Sequence, residues 1–108
     1  MAVPADAARA LAFVRQQAAA GRVVLTEKAR LELRSVGGGL DADDVSKCLC
    51  TVTVGQVVAY EPDQTRPDKT ILKLRTRMAD TDCYCKVALR LGWDRTVAVL
   101  SFKEWIAS

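Results

Sequence analysis

Residues 69–77 read Lys69-Thr70-Ile71-Leu72-Lys73-Leu74-Arg75-Thr76-Arg77, and residues 83–91 read Cys83-Tyr84-Cys85-Lys86-Val87-Ala88-Leu89-Arg90-Leu91. Both alternate with a period of two, which is the pattern of a strand with one buried face. In the first, Leu72 and Leu74 share a phase with Thr70 and Thr76, leaving Lys73, Arg75 and Arg77 on the other side. In the second, Cys83, Cys85, Val87, Leu89 and Leu91 face one way, and Tyr84, Lys86, Ala88 and Arg90 face the other. Asp80-Thr81-Asp82 between the two runs is turn chemistry, and strands joined this closely pair antiparallel.

Two further extended runs flank this hairpin, Gln56–Glu61 before it and Thr96–Phe102 after it. Pro62-Asp63-Gln64-Thr65-Arg66-Pro67-Asp68 is a loop by composition, and Gly92-Trp93-Asp94-Arg95 closes the last hairpin. In the last run the expected inward set is Ala98, Leu100 and Phe102, with Val97, Val99, Ser101 and Lys103 outward. Upstream the period changes to that of a helix. Ala7, Leu11, Val14 and Ala18 form a stripe over residues 5 to about 20 that stops at Gly21. Thr26 stands as N-cap to a second helix burying Ala29, Leu33 and Val36 and ended by Gly37-Gly38-Gly39. Asp41 caps a third, with Asp43 and Asp44 in its first turn and Val45, Cys48, Leu49 and Val52 in one stripe. The expected architecture is a single α+β domain over residues 1–108. Its helical part, about 5–52, covers one face of a four-stranded antiparallel sheet, about 56–104.

The chain has 108 residues, 50% of them hydrophobic, with 16 Lys and Arg against 13 Asp and Glu and no His. That length suits one domain with a core of its own. Without histidine, Ser-His-Asp triads, His-assisted thiol catalysis and imidazole acid–base chemistry are closed off. No apolar run reaches the roughly 18 to 20 residues of a membrane span, and Asp6 and Arg9 interrupt the Ala-rich start where a leader would be apolar. A soluble cytoplasmic protein without a membrane partner is expected.

Four cysteines form two Cys-x-Cys pairs, Cys48 with Cys50 and Cys83 with Cys85. Four thiolates match a tetrahedral zinc site in number, but structural zinc pairs typically use Cys-x2-Cys spacing. Cys48, Cys83 and Cys85 also fit the apolar stripes of their elements as small core residues. The expectation is therefore no metal and no cofactor. Trp105 and Ile106 are expected to pack back on the helices, with Trp93 shielding a loop.

The outward face of the sheet is the main functional signal. Lys73, Arg75, Arg77, Tyr84, Lys86, Arg90 and Lys103 share it with no Asp or Glu in phase, the acids Glu61, Asp63, Asp68, Asp80, Asp82 and Asp94 being assigned to loops. A solvated face normally mixes signs. A one-signed face with an aromatic ring suits single-stranded RNA, because Lys and Arg hold phosphates and Tyr stacks on an unpaired base. Cleavage by attack of the RNA's own 2′-hydroxyl needs a proton acceptor, cations for the phosphorane and a proton donor for the leaving 5′-oxygen. Lys86, Tyr84 and Lys103 with nearby arginines form a His-free set for these roles, and their spacing does not assign donor and acceptor.

Ala20-Gly21-Arg22-Val23, Thr26-Glu27-Lys28-Ala29 and Leu40-Asp41-Ala42-Asp43-Asp44 resemble the N-terminal helical pattern of the MqsR family of type II toxins. Cys83-Tyr84-Cys85-Lys86-Val87 resembles that family's Tyr-x-Lys strand, and Val99-Leu100-Ser101-Phe102-Lys103-Glu104 its closing Ser-Phe-Lys-Glu strand. The resemblance implies a RelE-like, metal-independent mRNA interferase, with Tyr84 and Lys103 at positions where the family keeps catalytic residues. It implies mRNA as substrate and, as a partner, a cognate antitoxin, of a kind that joins a zinc knuckle to a helix-turn-helix. Two segments depart from the family. Its Phe-Tyr-Lys-Ser segment is replaced by Gln56-Val57-Val58-Ala59-Tyr60, and its Trp-Gln strand by Ile71-Leu72-Lys73-Leu74, with Lys73 a stand-in for the glutamine. The chain also resembles DUF4258-type domains. That resemblance implies a non-catalytic module using the same basic face for RNA or an acidic protein segment.

Overall fold

The computed structural model describes residues 5–62, 69–90 and 97–106, with side chains for 7–61, 70–89 and 97–106. Three helices come first: α1 (Ala5–Ala19), α2 (Glu27–Val36) and α3 (Ala42–Leu49). Between α1 and α2 lies a short strand, β1 (Val23–Leu25), and after α3 come β2 (Val57–Pro62), β3 (Lys69–Met78), β4 (Thr81–Arg90) and β5 (Val97–Glu104).

Helix ends follow their side chains. Ala18 and Gln17 carbonyls receive the amides of Gly21 and Arg22, and Gly21 takes φ +73°, which glycine adopts without a Cβ penalty. The Thr26 hydroxyl accepts from the Ala29 amide at 3.1 Å. Asp41 and Asp44 form a reciprocal capping box at 3.2 and 2.9 Å.

The α+β class holds, and the sheet corrects the expectation in two ways. It has five strands rather than four, in the order β1-β5-β4-β3-β2, and it is mixed, because β1 pairs parallel with β5 through Val23–Val97, Val24–Ala98 and Leu25–Val99. Three residues are too few to display a period, so β1 carries no readable strand signal. The other pairings, β2 with β3, β3 with β4 and β4 with β5, are antiparallel as expected.

A further correction concerns β5. Val97 and Val99 are fully buried, although the alternation of 96–102 assigned them outward. Opposite β4 the register runs Val87–Val99 and then Lys86–Ser101, so Leu100 is an extra residue, a bulge. Before the bulge Val97 and Val99 face the core; after it Phe102 does, and Lys103 is exposed as expected. The bulge thus lets Val97, Val99 and Phe102 all face the core, which no strict alternation permits.

One contiguous core joins helices and sheet. Leu11, Val14, Leu33, Val45 and Leu49 from the helices meet Leu72, Leu74, Cys85, Val87, Leu89 and Phe102 from the sheet. Thr70 and Thr76 are buried in phase with Leu72 and Leu74, as read from the sequence. Val52 is buried although it lies beyond α3. Leu91, Thr96 and the hairpin read at Gly92–Arg95, with the loop acids Asp63, Asp68 and Asp94 and with Trp93, lie outside the described residues.

The β3–β4 turn is tighter than the sequence suggested. Met78 pairs with Thr81, so Ala79 and Asp80 alone make the turn, with φ 52° and 60°. Two positive φ angles in a two-residue loop define a type I′ turn, for which Asn-Gly is the preferred pair. Alanine in this region costs about 1 to 2 kcal/mol. The double substitution Ala79→Asn with Asp80→Gly is expected to stabilise the protein by ~1 kcal/mol, read as a rise of roughly 4 to 8 °C in Tm. An unchanged or lower Tm would refute the assignment of strain to this turn.

Candidate functional site

The register of the sheet lays its outward side chains in rows across strands. One row runs Lys73, Lys86, Ser101, and the next Arg75, Tyr84, Lys103. A third runs Arg77, Asp82 and Trp105, whose amide extends the ladder past β5 by donating to the Asp82 carbonyl at 2.8 Å. Tyr84, Lys86 and Lys103 thus converge as the sequence predicted. They line an open depression of about 370 Å³ together with Ser101, Glu104, Trp105, Ile106 and Lys28.

Lys28 comes from α2 and was not singled out in the sequence. It reaches the sheet because α2 continues the edge that β1 leaves open. The Thr26 amide donates to the Val99 carbonyl at 3.0 Å, and its hydroxyl donates to the Leu100 carbonyl at 3.3 Å. One helical turn on from Lys28, the Glu32 carboxylate accepts from the Ser101 hydroxyl at 2.8 Å and from the Phe102 amide at 3.3 Å. Glu32 is thereby the clamp that holds α2 on β5. The capping threonine followed by Lys28 and Glu32 one turn apart is a sequence signal for this contact, but it becomes readable only once β5 is known to lie alongside.

The remaining predicted cations are not free, and this corrects the reading of an acid-free face. Asp82 lies within β4 and Glu61 within β2, not in loops. Lys73 Nζ is 3.0 Å from Glu61 Oε1. Arg75 is 3.2 Å and Arg77 3.7 Å from the Asp82 carboxylate. Arg77 also donates to the Asp80 carbonyl at 3.3 Å. The hydrogen bond from Lys73 to the Glu61 carboxylate holds the lysine's pKa above its ordinary value, so Lys73 is a fixed cation and not a proton acceptor. Among the described residues, Lys28, Lys86 and Lys103 have no carboxylate within ion-pairing distance. The Arg90 side chain lies outside the described residues.

Trp105 is the second correction. It is turned to the outward face and does not pack on the helices; Ile106 beyond it is 83% exposed. The Arg75 guanidinium lies 5.0 Å from the Trp105 ring, the Tyr84 ring lies 6.2 Å away at 44°, and Lys103 Nζ sits 5.7 Å from the Tyr84 ring. Cations and rings alternate along this surface, each ring attracting the positive charge placed over its face. Continuing the post-bulge alternation from Lys103 by two residues puts Trp105 on this face, which is the signal available in the sequence.

The thiols lie on the opposite side of the sheet. Cys48 Sγ is 2.9 Å from Thr76 Oγ1, and Thr76 is paired with Cys83. Burial raises the pKa of Cys48, Cys83 and Cys85, most strongly for Cys85, so these thiols stay protonated and are poor nucleophiles and metal ligands at neutral pH. Among the described residues no three His, Cys, Asp or Glu side chains form a group able to hold a metal ion. Cys85 keeps its proton in the native state at a pH where the unfolded chain has lost it, so the native state binds more protons and stability falls as pH rises. Melts are expected to be flat below about pH 8 and to lose up to ~1.4 kcal/mol per pH unit above the ordinary thiol pKa of about 8.5. Cys85→Val is expected to flatten that alkaline slope; an unaltered slope in the variant would remove Cys85 as its cause.

No helix among the described residues is long and apolar enough to cross a membrane. No protein-family model, no curated protein and no solved structure matches the chain.

Proposed function

We propose that the protein is a metal-independent endoribonuclease, a toxin-like mRNA interferase that cleaves single-stranded RNA in the depression on the open face of its sheet. The observation that carries this reading is the convergence of Lys28, Lys86 and Lys103 with the Tyr84 ring in one open depression. Three lysines lining one depression favour a phosphate, and more so the phosphorane, which carries additional negative charge. In the reaction the substrate's 2′-oxygen bonds to phosphorus and loses its proton, while the bond to the 5′-oxygen breaks and that oxygen gains one. The products are a 2′,3′-cyclic phosphate and a 5′-hydroxyl. Lys103 and Tyr84 act beside the scissile phosphate, and Lys86 serves as a further acid, base or clamp. Arg75 and Arg77, held by Asp82, and Lys73, held by Glu61, line the path of the flanking strand.

The test is incubation of purified protein with a long end-labelled mRNA in EDTA, with and without ribosomes, followed by mapping of cuts and their 3′ ends. Discrete cuts ending in 2′,3′-cyclic phosphate are expected. RNA left intact in both settings at high protein excess would overturn the nuclease reading in favour of a binding module.

The ion pairs give a prediction of unusual sign. Asp82→Asn releases Arg75 and Arg77 to phosphates, so RNA affinity is expected to rise severalfold and the plot of log K against log salt to steepen by about one. Titration of labelled RNA at several salt concentrations measures both. Weaker binding in Asp82→Asn would mean that the arginines serve RNA only while Asp82 orients them.

A further inference from the structure

The depression is chemically two-ended along β5. Ser101 stands level with Lys86, Lys103 with Tyr84, and Trp105 with Asp82. From Ser101 to Trp105 is four residues of extended chain, about 13 Å. The lysines occupy one end and the middle, whereas Trp105 and exposed Ile106 make up the other end. Cations attract phosphate, so the backbone of a bound strand belongs with the lysines. What the Trp105 end accepts is flat and apolar on its face.

Trp105 is held ready for such a group. Its backbone amide is bonded to Asp82, the Arg75 guanidinium covers its ring at 5.0 Å, and Asp82 holds that guanidinium in turn at 3.2 Å. A ring covered on one side by a fixed guanidinium loses little freedom when a second ring stacks on it. We propose that Trp105 is the stacking platform for an unpaired purine base next to the phosphate held by Lys103. This rests on the RNA reading of the depression and adds to it a specificity-determining residue. Purines are favoured because their larger ring system covers more of the indole face and because stacking strength is what sets base preference in such sites.

The test uses short fluorescein-labelled oligouridines that carry one adenosine or, at the same position, one abasic residue. Anisotropy gives the Kd of each for the full-length protein and for Trp105→Ala, Trp105→Phe and Lys103→Ala. The native protein is expected to bind the adenosine RNA roughly tenfold or more tightly than the abasic one, a difference lost in Trp105→Ala and largely kept in Trp105→Phe. Lys103→Ala is expected to weaken both RNAs and to preserve their ratio, because it acts on the phosphate. On a long mRNA, the cuts made by Trp105→Ala no longer cluster beside purines. If Trp105→Ala weakened both RNAs equally, RNA binding would stand and the base platform would be overturned. If the native protein bound neither RNA, the RNA reading itself would fall. Because Trp105 is half-buried, a melt of each variant accompanies the titrations, and the Phe variant supplies the comparison in a folded aromatic background.

Discussion

Lys103→Ala is expected to lower the rate of RNA cleavage about 100-fold or more, with the fold unaffected. The size follows from the role. A charge that meets the phosphorane more strongly than the ground-state phosphate is worth about 10² to 10³ in rate when removed. The lysine is exposed, and its contact within the protein is with the Tyr84 ring at 5.7 Å. Losing a contact of that kind at the surface costs about 0.5 to 1 kcal/mol, far too little to unfold the domain. The informative experiment measures cleavage under single-turnover conditions beside a urea melt. Lys103→Arg separates charge from proton transfer: it is expected to keep RNA binding near native and to restore cleavage only where Lys103 acts as a charge. Full activity in Lys103→Ala would place the chemistry elsewhere.

The largest effect on stability is expected at the neighbouring residue. Phe102 is fully buried, pairs with Cys85 and donates its amide to Glu32 at the α2 clamp. Phe102→Ala removes a ring from a close-packed core that cannot collapse around the space, a loss of about 3 to 5 kcal/mol. Against a total of about 5 to 15 kcal/mol for a domain of ordinary stability, that is roughly a fifth of the fold's stability or more. Chemical denaturation is expected to show a lower midpoint with an unchanged slope. A cost below about 1 kcal/mol would mean that Phe102 does not tie the sheet to the helices as the core packing implies. Lys103→Ala and Phe102→Ala therefore make a diagnostic pair: adjacent in sequence, opposite in facing, one expected to spare stability and the other to remove a large share of it.

That pair also shows where the sequence was legible. Alternation in β3 and β4 correctly assigned Leu72, Leu74, Cys83, Cys85, Val87 and Leu89 to the core, since each strand is long and regular. Thr26 and Asp41 announced their helices because capping is a local interaction between a side chain and an amide three residues on. In β5 the same rule inverted Val97 and Val99, because a bulge shifts phase by one and leaves no mark in composition. The site was legible to the same depth. Tyr84, Lys86 and Lys103 meet because facing within a strand is a matter of parity. The pairing of Asp82 with Arg75 and Arg77, and of Glu61 with Lys73, depends on register between strands, which parity does not give. Lys28 depends on how a helix docks, one step further from sequence.

The parallel pairing of β1 with β5 carries a consequence for the order of assembly. Val23 meets Val97 at a separation of 74 residues along the chain, whereas β3 and β4 are joined by two residues. Closing so long a loop has a large entropic cost that the short hairpin avoids, so the hairpin forms early and the β1 edge closes late. The depression draws from both ends of that sequence of events: Tyr84 and Lys86 come with the hairpin, and Lys28 arrives only when α2 docks. Once β5 has paired with β4 the chain holds Lys86 and Lys103 without the last cation, which ties the full charge of the site to completion of the native state. In hydrogen exchange, the amides of β1 and the start of α2 are the ones to open first, and their opening releases Lys28 while the hairpin stays closed.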